Sequence, residues 1–190
     1  MISARSLPYH RNAYAPAWLA TSFTVALVIA LGCWHLSARA LDAGKPAPEF
    51  SVQGGSGPSP SPGPAHIQLA DYKGKLLYLD FWASWCGPCK QSFPWMNALQ
   101  SKFGAQGLQV LAINLDSKAE DAAVFLKSVP ASFQIGYDPK GVTPRQYDVK
   151  GMPSSVLIDR DGKVLSLHAG FNEGSKAKIE QAIVAALGGK

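Results

Sequence analysis

The sequence predicts an α/β protein with a central mixed β-sheet covered by helices on both faces. Three observations carry this expectation. From His66 onward, short apolar or alternating segments interleave with segments of helical period. One of the former, "LLYLDFW" (Leu76 to Trp82), is apolar on both faces and belongs in the buried middle of a sheet. The chain then closes on a strand, a turn, a strand and a helix, so an antiparallel edge is added to a parallel centre.

The elements follow in order. "LDAGKPAPEF" is an approach segment, and the Gly/Ser/Pro-rich stretch Ser51 to Ala65 predicts a loop at 53–65 between two early strands. "IQLADYKGK" reads as a short strand and turn, followed by the central strand. A helix is expected to start near Cys86, with Pro88 tolerated in its first turn, where a backbone N–H has no partner. Its apolar face is Met96, Leu99 and Phe103, and Pro94 is expected to kink it. "LQVLAINL" (strand), "KAEDAAVFLKS" (helix), "SFQIGYD" (strand) and a short helix near Thr143 to Tyr147 come next. "SSVLID", the turn "RDGK" and "VLSLHA" form a hairpin. The last helix, Ser175 to Leu187, gathers Ile179, Ala182, Ile183, Ala186 and Leu187 on one side.

The 190 residues suffice for one ordinary domain, and 47% hydrophobic with 16% charged residues is the composition of a folded chain. The net charge of +5 does not mark a nucleic-acid binder. Arg5, Arg11 and Arg39 account for three of the 18 Lys and Arg, and no acid precedes Asp42. The lysines further on are scattered and form no basic stripe.

Residues 1–40 have the pattern of an export signal: Arg5 and Arg11, the uncharged run "AWLATSFTVALVIALGC", and the A-x-A site Ala38-Arg39-Ala40. Residues 41–190 then form the folded domain. Two other fates stay open. The charge-free span from Asn12 to Ala38 exceeds the ~20 residues that cross a bilayer, so it can remain as a membrane anchor. "ALGC" also approximates a lipidation site at Cys33, with Ala30 and Leu31 in reversed order. Each fate places the domain in the periplasm or another extracytoplasmic space, where disulfides persist.

If Cys33 is removed, Cys86 and Cys89 are the only thiols. A zinc site would need four ligands, and only His66 and His168 remain outside the signal, far apart in sequence. A purely structural disulfide would gain little from closing so short a loop. The third reading is thiol-disulfide exchange. The positive end of the helix dipole favours a thiolate on Cys86, which makes it the attacking group. Cys89, one turn further in, is placed to resolve the mixed disulfide. No metal and no organic cofactor is needed. Two thiolates are also soft ligands for copper, which leaves a copper-handling protein as an alternative from another class.

"DFWASWCGPCK" together with Gly151-Met152-Pro153 resembles the thioredoxin superfamily. "GKPAPEF", "GKLLYLDFWASWCGPCKQSFPWMNAL" and "SSVLIDRDGKV" are more closely similar to exported TlpA/ResA-type thiol-disulfide oxidoreductases. The resemblance spans about residues 44–187 and implies a thioredoxin-like three-layer sandwich. It further implies that Pro153 is a cis-proline facing the dithiol, so that the Met152 backbone meets a bound peptide strand. Trp85, with Gly87 and Pro88, would cover the sulfurs and offer an apolar contact surface. Asp80 would relay protons to and from the buried cysteine. Two departures stand out: Ala112 occupies the place of the usual thioredoxin lysine, and Ser92 that of a ResA-type glutamate. A relay would then rest on Asp80 alone.

The Gly-Pro between the cysteines resembles the thioredoxin pair, and this resemblance favours a reducing role toward exported proteins, in cytochrome c maturation or envelope redox homeostasis; the chain is expected to be a monomer. Such a reductase draws on a membrane electron donor. A net disulfide oxidase is the alternative within the same chemistry. The export reading yields a direct test: the mature chain is expected to begin at Leu41 by N-terminal sequencing or intact mass, and a full-length chain retained in the membrane contradicts it.

Overall fold

A computed structural model describes residues 41–55 and 65–188. The expectations for the signal, the anchor, Cys33 and most of the Gly/Ser/Pro-rich loop lie outside these residues. The described elements are β1 (Ser51–Gly54), β2 (His66–Gln68), β3 (Leu76–Trp82), α1 (Gly87–Phe103), β4 (Leu108–Asn114), α2 (Ala119–Ser128), β5 (Gln134–Tyr137), α3 (Val142–Gln146), β6 (Ser154–Ile158), β7 (Val164–Ala169) and α4 (Glu173–Gly188).

The strands form one mixed sheet in the order β2-β1-β5-β4-β3-β6-β7. β3, β4 and β5 run parallel, and the outer pairings are antiparallel. The sheet is thioredoxin-like and α/β, as the sequence predicts. β3 lies between β4 and β6 with all seven residues buried, which explains a strand apolar on both faces.

Alternation along the strands divides the core in two. On one face Leu76, Tyr78 and Trp82 join Leu108, Val110 and Leu157 under α1, α2 and α4, whose contributions include Met96, Phe125 and Ile179. On the other, Leu77, Leu79 and Phe81 meet Phe50, Leu69, Tyr72 and Tyr147, from the approach segment, a 3-10 turn and the end of α3. Tyr147 donates to the Pro48 carbonyl at 2.6 Å, tying that layer to the approach segment.

Two boundaries differ from the sequence reading. Gln53 and Gly54, expected in the loop, complete β1 because they pair with Tyr137 and Gly136 of β5. Glycine at 136 permits this, since a Cβ there would stand 2.8 Å from Val52 Cγ2. After Gln68 the chain turns into a 3-10 helix, Leu69–Tyr72, held by the Asp71 carboxylate accepting from the Gln68 N–H at 2.9 Å. Helix α1, expected to start near Cys86, spans 17 residues with Pro94 inside it. The apolar face expected for α4 is found: Ile179 and Ile183 are buried, with Ala182, Ala186 and Leu187 packed beside them.

Beneath the first turn of α1, the Phe93 ring lies 4.8 Å from Trp82, 5.0 Å from Phe125 and 5.3 Å from Phe133. Phe93→Ala would open a cavity among three rings and is expected to cost about 3–5 kcal/mol in urea unfolding, with an unchanged slope; a loss under about 1 kcal/mol would contradict this packing.

Candidate active site

β3 ends in the sheet and hands the chain to Ala83-Ser84-Trp85, which leads into α1. An acid outside the cysteine motif fixes this short loop. The Asp116 carboxylate accepts from the Ser84 N–H at 3.0 Å, from the Ser84 hydroxyl at 3.0 Å and from the Asn114 amide at 2.8 Å. The Asn114 side-chain oxygen in turn accepts from the Asp116 N–H at 3.1 Å. Sequence reasoning missed both residues. The available signal was two polar residues, Asn114 and Asp116, closing an otherwise apolar strand.

Cys86 is the N-cap of α1, and Pro88 sits in its first turn. The Cys89 N–H, in the first turn of the helix, is shared between the Cys86 sulfur at 3.3 Å and the Cys86 carbonyl at 3.2 Å. This is the geometry in which backbone dipoles favour a sulfur anion. The two cysteines are joined by a disulfide, with Cα atoms 5.3 Å apart. Cys89 is fully buried and Cys86 is 4% exposed, so both sulfurs lie at the floor of the surface. Around them Gly87 and Pro88 are exposed, and Trp85 is 72% exposed, the most open large apolar side chain described. Ser92, in the place of the ResA-type glutamate, is buried and donates to the Cys89 carbonyl at 3.1 Å.

The Met152-Pro153 peptide bond is cis. Met152 is partly buried against the apolar cluster to which Cys86 and Cys89 also belong. The Pro153 carbonyl accepts from the Gly170 N–H at 2.8 Å, and the Gly151 carbonyl from the Ser154 hydroxyl at 2.7 Å. Trp82 and Trp95 belong to the core and its margin: Trp82 is buried, and Trp95 packs edge-on to Tyr78 and donates to Glu180 at 3.0 Å.

Asp80 lies between Tyr78 and Trp82 on the face of β3 that α1 covers. It is 1% exposed, and its Oδ2 has no hydrogen-bond partner. Burial pushes its carboxyl well above the ordinary carboxylate range. Ala112 stands opposite it on β4 and supplies no ammonium. The Tyr78 phenol is raised as well, by burial first and then by the Asp80 charge, against a hydrogen bond from Ser155. The Trp82 indole N–H, two residues on, also lacks a partner. As for metals, the two cysteine sulfurs are the soft donors of the site, and among the described residues no group of three His, Cys, Asp or Glu gathers.

The Redoxin family model matches residues 42–183. The chain is 34% identical over 141 residues to a thiol-disulfide oxidoreductase ResA of Bacillus thuringiensis subsp. konkukian, covering 74% of this chain and 76% of that protein. It is 30% identical over 158 residues to the ResA of Bacillus subtilis, covering 80% and 84%. Among solved structures, one described as a thiol:disulfide interchange protein DsbE from Chlorobium tepidum shares 55% identity at a TM-score of 0.72, covering 78% of this chain and 99% of that one. The exposed lipoprotein thioredoxin Etrx1 of Streptococcus pneumoniae shares 29% at a TM-score of 0.61, covering 73% and 99%. The cis-proline motif and the dithiol at a helix start thus coincide with a match over most of the chain: it belongs to the Redoxin family and is a TlpA/ResA-like thiol-disulfide oxidoreductase of the thioredoxin superfamily.

Proposed function

We propose that the protein works outside the cytoplasm as a monomeric reductase of disulfides in exported proteins, recharged by a membrane electron donor. The observation that carries this reading is the placement of Cys86 at the N-cap of α1, next to the exposed Trp85, with Cys89 and Asp80 both buried on the face of β3 that α1 covers. The reducing direction is supported by the Gly87-Pro88 pair, which matches thioredoxin. Apoproteins of cytochrome c and misoxidised envelope proteins are the substrates this favours.

Each half of the site has its own step. A substrate strand lies against Trp85, Gly87, Pro88 and the Met152-Pro153 backbone, which reads main chain and so accepts many sequences. The Cys86 thiolate attacks one substrate sulfur, forming a mixed disulfide and releasing the other sulfur as a thiolate. Cys89 then passes its proton to the ionised Asp80 carboxylate and attacks the Cys86 sulfur. The Cys86–Cys89 disulfide forms, the second substrate thiolate leaves, and two electrons have moved from dithiol to substrate. Asp80 is suited to this exchange because burial brings a carboxyl toward the range in which proton transfer with a thiol is feasible.

The order of attack is tested by trapping. Cys89→Ser is expected to accumulate mixed disulfides with exported proteins and Cys86→Ser to accumulate none; equal trapping by both overturns the assignment. In intact cells the parent dithiol is expected mostly reduced by thiol trapping, and a mostly oxidised pair contradicts the reducing direction.

Asp80 yields a paired test. An acid whose folded pKa is raised holds its proton more tightly when folded. Stability therefore falls as pH climbs from the unfolded value to the folded one. Asp80→Asn removes that titration, so the variant is expected to exceed the parent in stability at neutral pH and to converge with it in acid. Resolution of the mixed disulfide is expected to slow by about 10²-fold, the lower range for a general acid-base group, while the first attack changes less. A variant that is less stable at neutral pH and fully active refutes the relay.

A further inference from the structure

A proton accepted by Asp80 has to leave again in each cycle, and a side chain 1% exposed has almost no direct access to water. The pairing register supplies a way out. Asp80 of β3 faces Ser155 of β6, and Ser155 faces His168 of β7. Register partners share one face of a sheet, so the three side chains form a row on the face that α1 and α4 cover. Elsewhere on that face of β3 and β4, Leu76, Leu108, Val110 and Ala112 are apolar. Burial is graded along the row: Asp80 and Ser155 are buried, and His168 on the edge strand is half-exposed.

We propose that Asp80, Ser155 and His168 form the proton-exchange route of the dithiol, with His168 as the group that meets the solvent. The proposal rests on Asp80 serving as the base for Cys89. After resolution the proton sits on the Asp80 carboxyl. It passes to the Ser155 hydroxyl, which releases its own proton toward the His168 ring, and the imidazolium gives that proton to water or buffer. No electrons move, and each group returns to its starting state once the proton has gone. Partners across neighbouring strands have Cβ atoms about 4.5–5.5 Å apart, and Asp80 Oδ2 makes no hydrogen bond within the protein, so a bridging water completes each transfer along the row.

The surroundings favour the direction of travel. Asp80 is flanked by Tyr78 on its own strand, by uncharged Ala112 on β4 and by Ser155 on β6, and the same face of β3 is covered by the apolar cluster that includes Cys89, so none of these neighbours is a cation. Ser155 is buried, and its influence reaches the Tyr78 phenol, whose pKa it lowers against the larger effect of burial. The His168 Nε2 lies 3.0 Å from the Ser166 hydroxyl. Burial, and then the charge of Lys178 on α4, lower the His168 pKa, so the ring is neutral near pH 7 and free to accept.

The test is steady-state disulfide reduction by the full chain in mild detergent, at low and at high concentrations of imidazole buffer. His168→Gln is expected to lose about tenfold in low buffer, less than the ~10²-fold of a direct acid-base group, and to recover as imidazole is added. Ser155→Ala, which interrupts the row at its buried step, is expected to lose a similar factor without recovery. The parent is expected to be insensitive to imidazole. Parent-like turnover in either variant, or a His168→Gln loss that imidazole does not restore, overturns the route. Asp80→Asn run in parallel separates the two levels. If it is slow while His168→Gln is parent-like, the route alone fails; if it is itself unimpaired, the role of Asp80 fails with it.

Discussion

Burying a carboxyl without a partner in the central strand, on the sheet face whose core also holds the two cysteines, is the constraint around which the molecule is arranged. A lone carboxylate in an apolar interior is costly enough that the group shifts toward its protonated form. Asp80 is in that position: central strand, hydrogen-bonded neighbours on both sides, one oxygen without a donor, and alanine where a cation would otherwise stand. Only a rigid surrounding core can hold such a group in place. The aromatic cluster of Trp82, Phe93, Phe125 and Phe133 above it, and the separate apolar layer under Tyr147 on the opposite face, provide that rigidity.

Opposed influences on the two cysteines follow from the same geometry. The start of α1 turns the Cys89 N–H toward the Cys86 sulfur, and the positive end of the helix favours negative charge there. One turn further in, Cys89 is fully buried in the apolar core, where negative charge is disfavoured unless its proton has somewhere to go. Two thiols three residues apart thereby acquire different roles from position alone. The loop that carries Cys86 keeps its place because Asp116 binds Ser84 through both backbone and side chain. A single pair of cysteines thus depends on the ends of two neighbouring parallel strands.

Much of this was legible in the sequence because the signals were local. The continuous apolar run of β3 implied a central strand, and one acid inside it implied a perturbed group. Cys-Gly-Pro-Cys ahead of a helical period placed the sulfurs at a helix start. The face of α4 followed from spacing alone. What escaped depends on register, which no local pattern states. Nothing in "SSVLID" and "VLSLHA" says that Ser155 faces Asp80 on one side and His168 on the other. Asp116 was invisible for the same reason: its partner Ser84 lies 32 residues earlier. The misplaced end of β1 has a similar origin, since Gln53 and Gly54 read as loop by composition and become strand only through β5.

The most direct measurement is the titration of the Asp80 carboxyl itself, followed by isotope-edited infrared or carbon NMR in the reduced full chain. A carboxyl buried without a partner on the sheet face whose core also holds the dithiol keeps its proton far above the ordinary value of 3.8, with the signal also moving when Cys89 changes its redox state. A carboxyl that ionises near 3.8 and ignores the cysteines would show that Asp80 is neither perturbed nor coupled to the exchange.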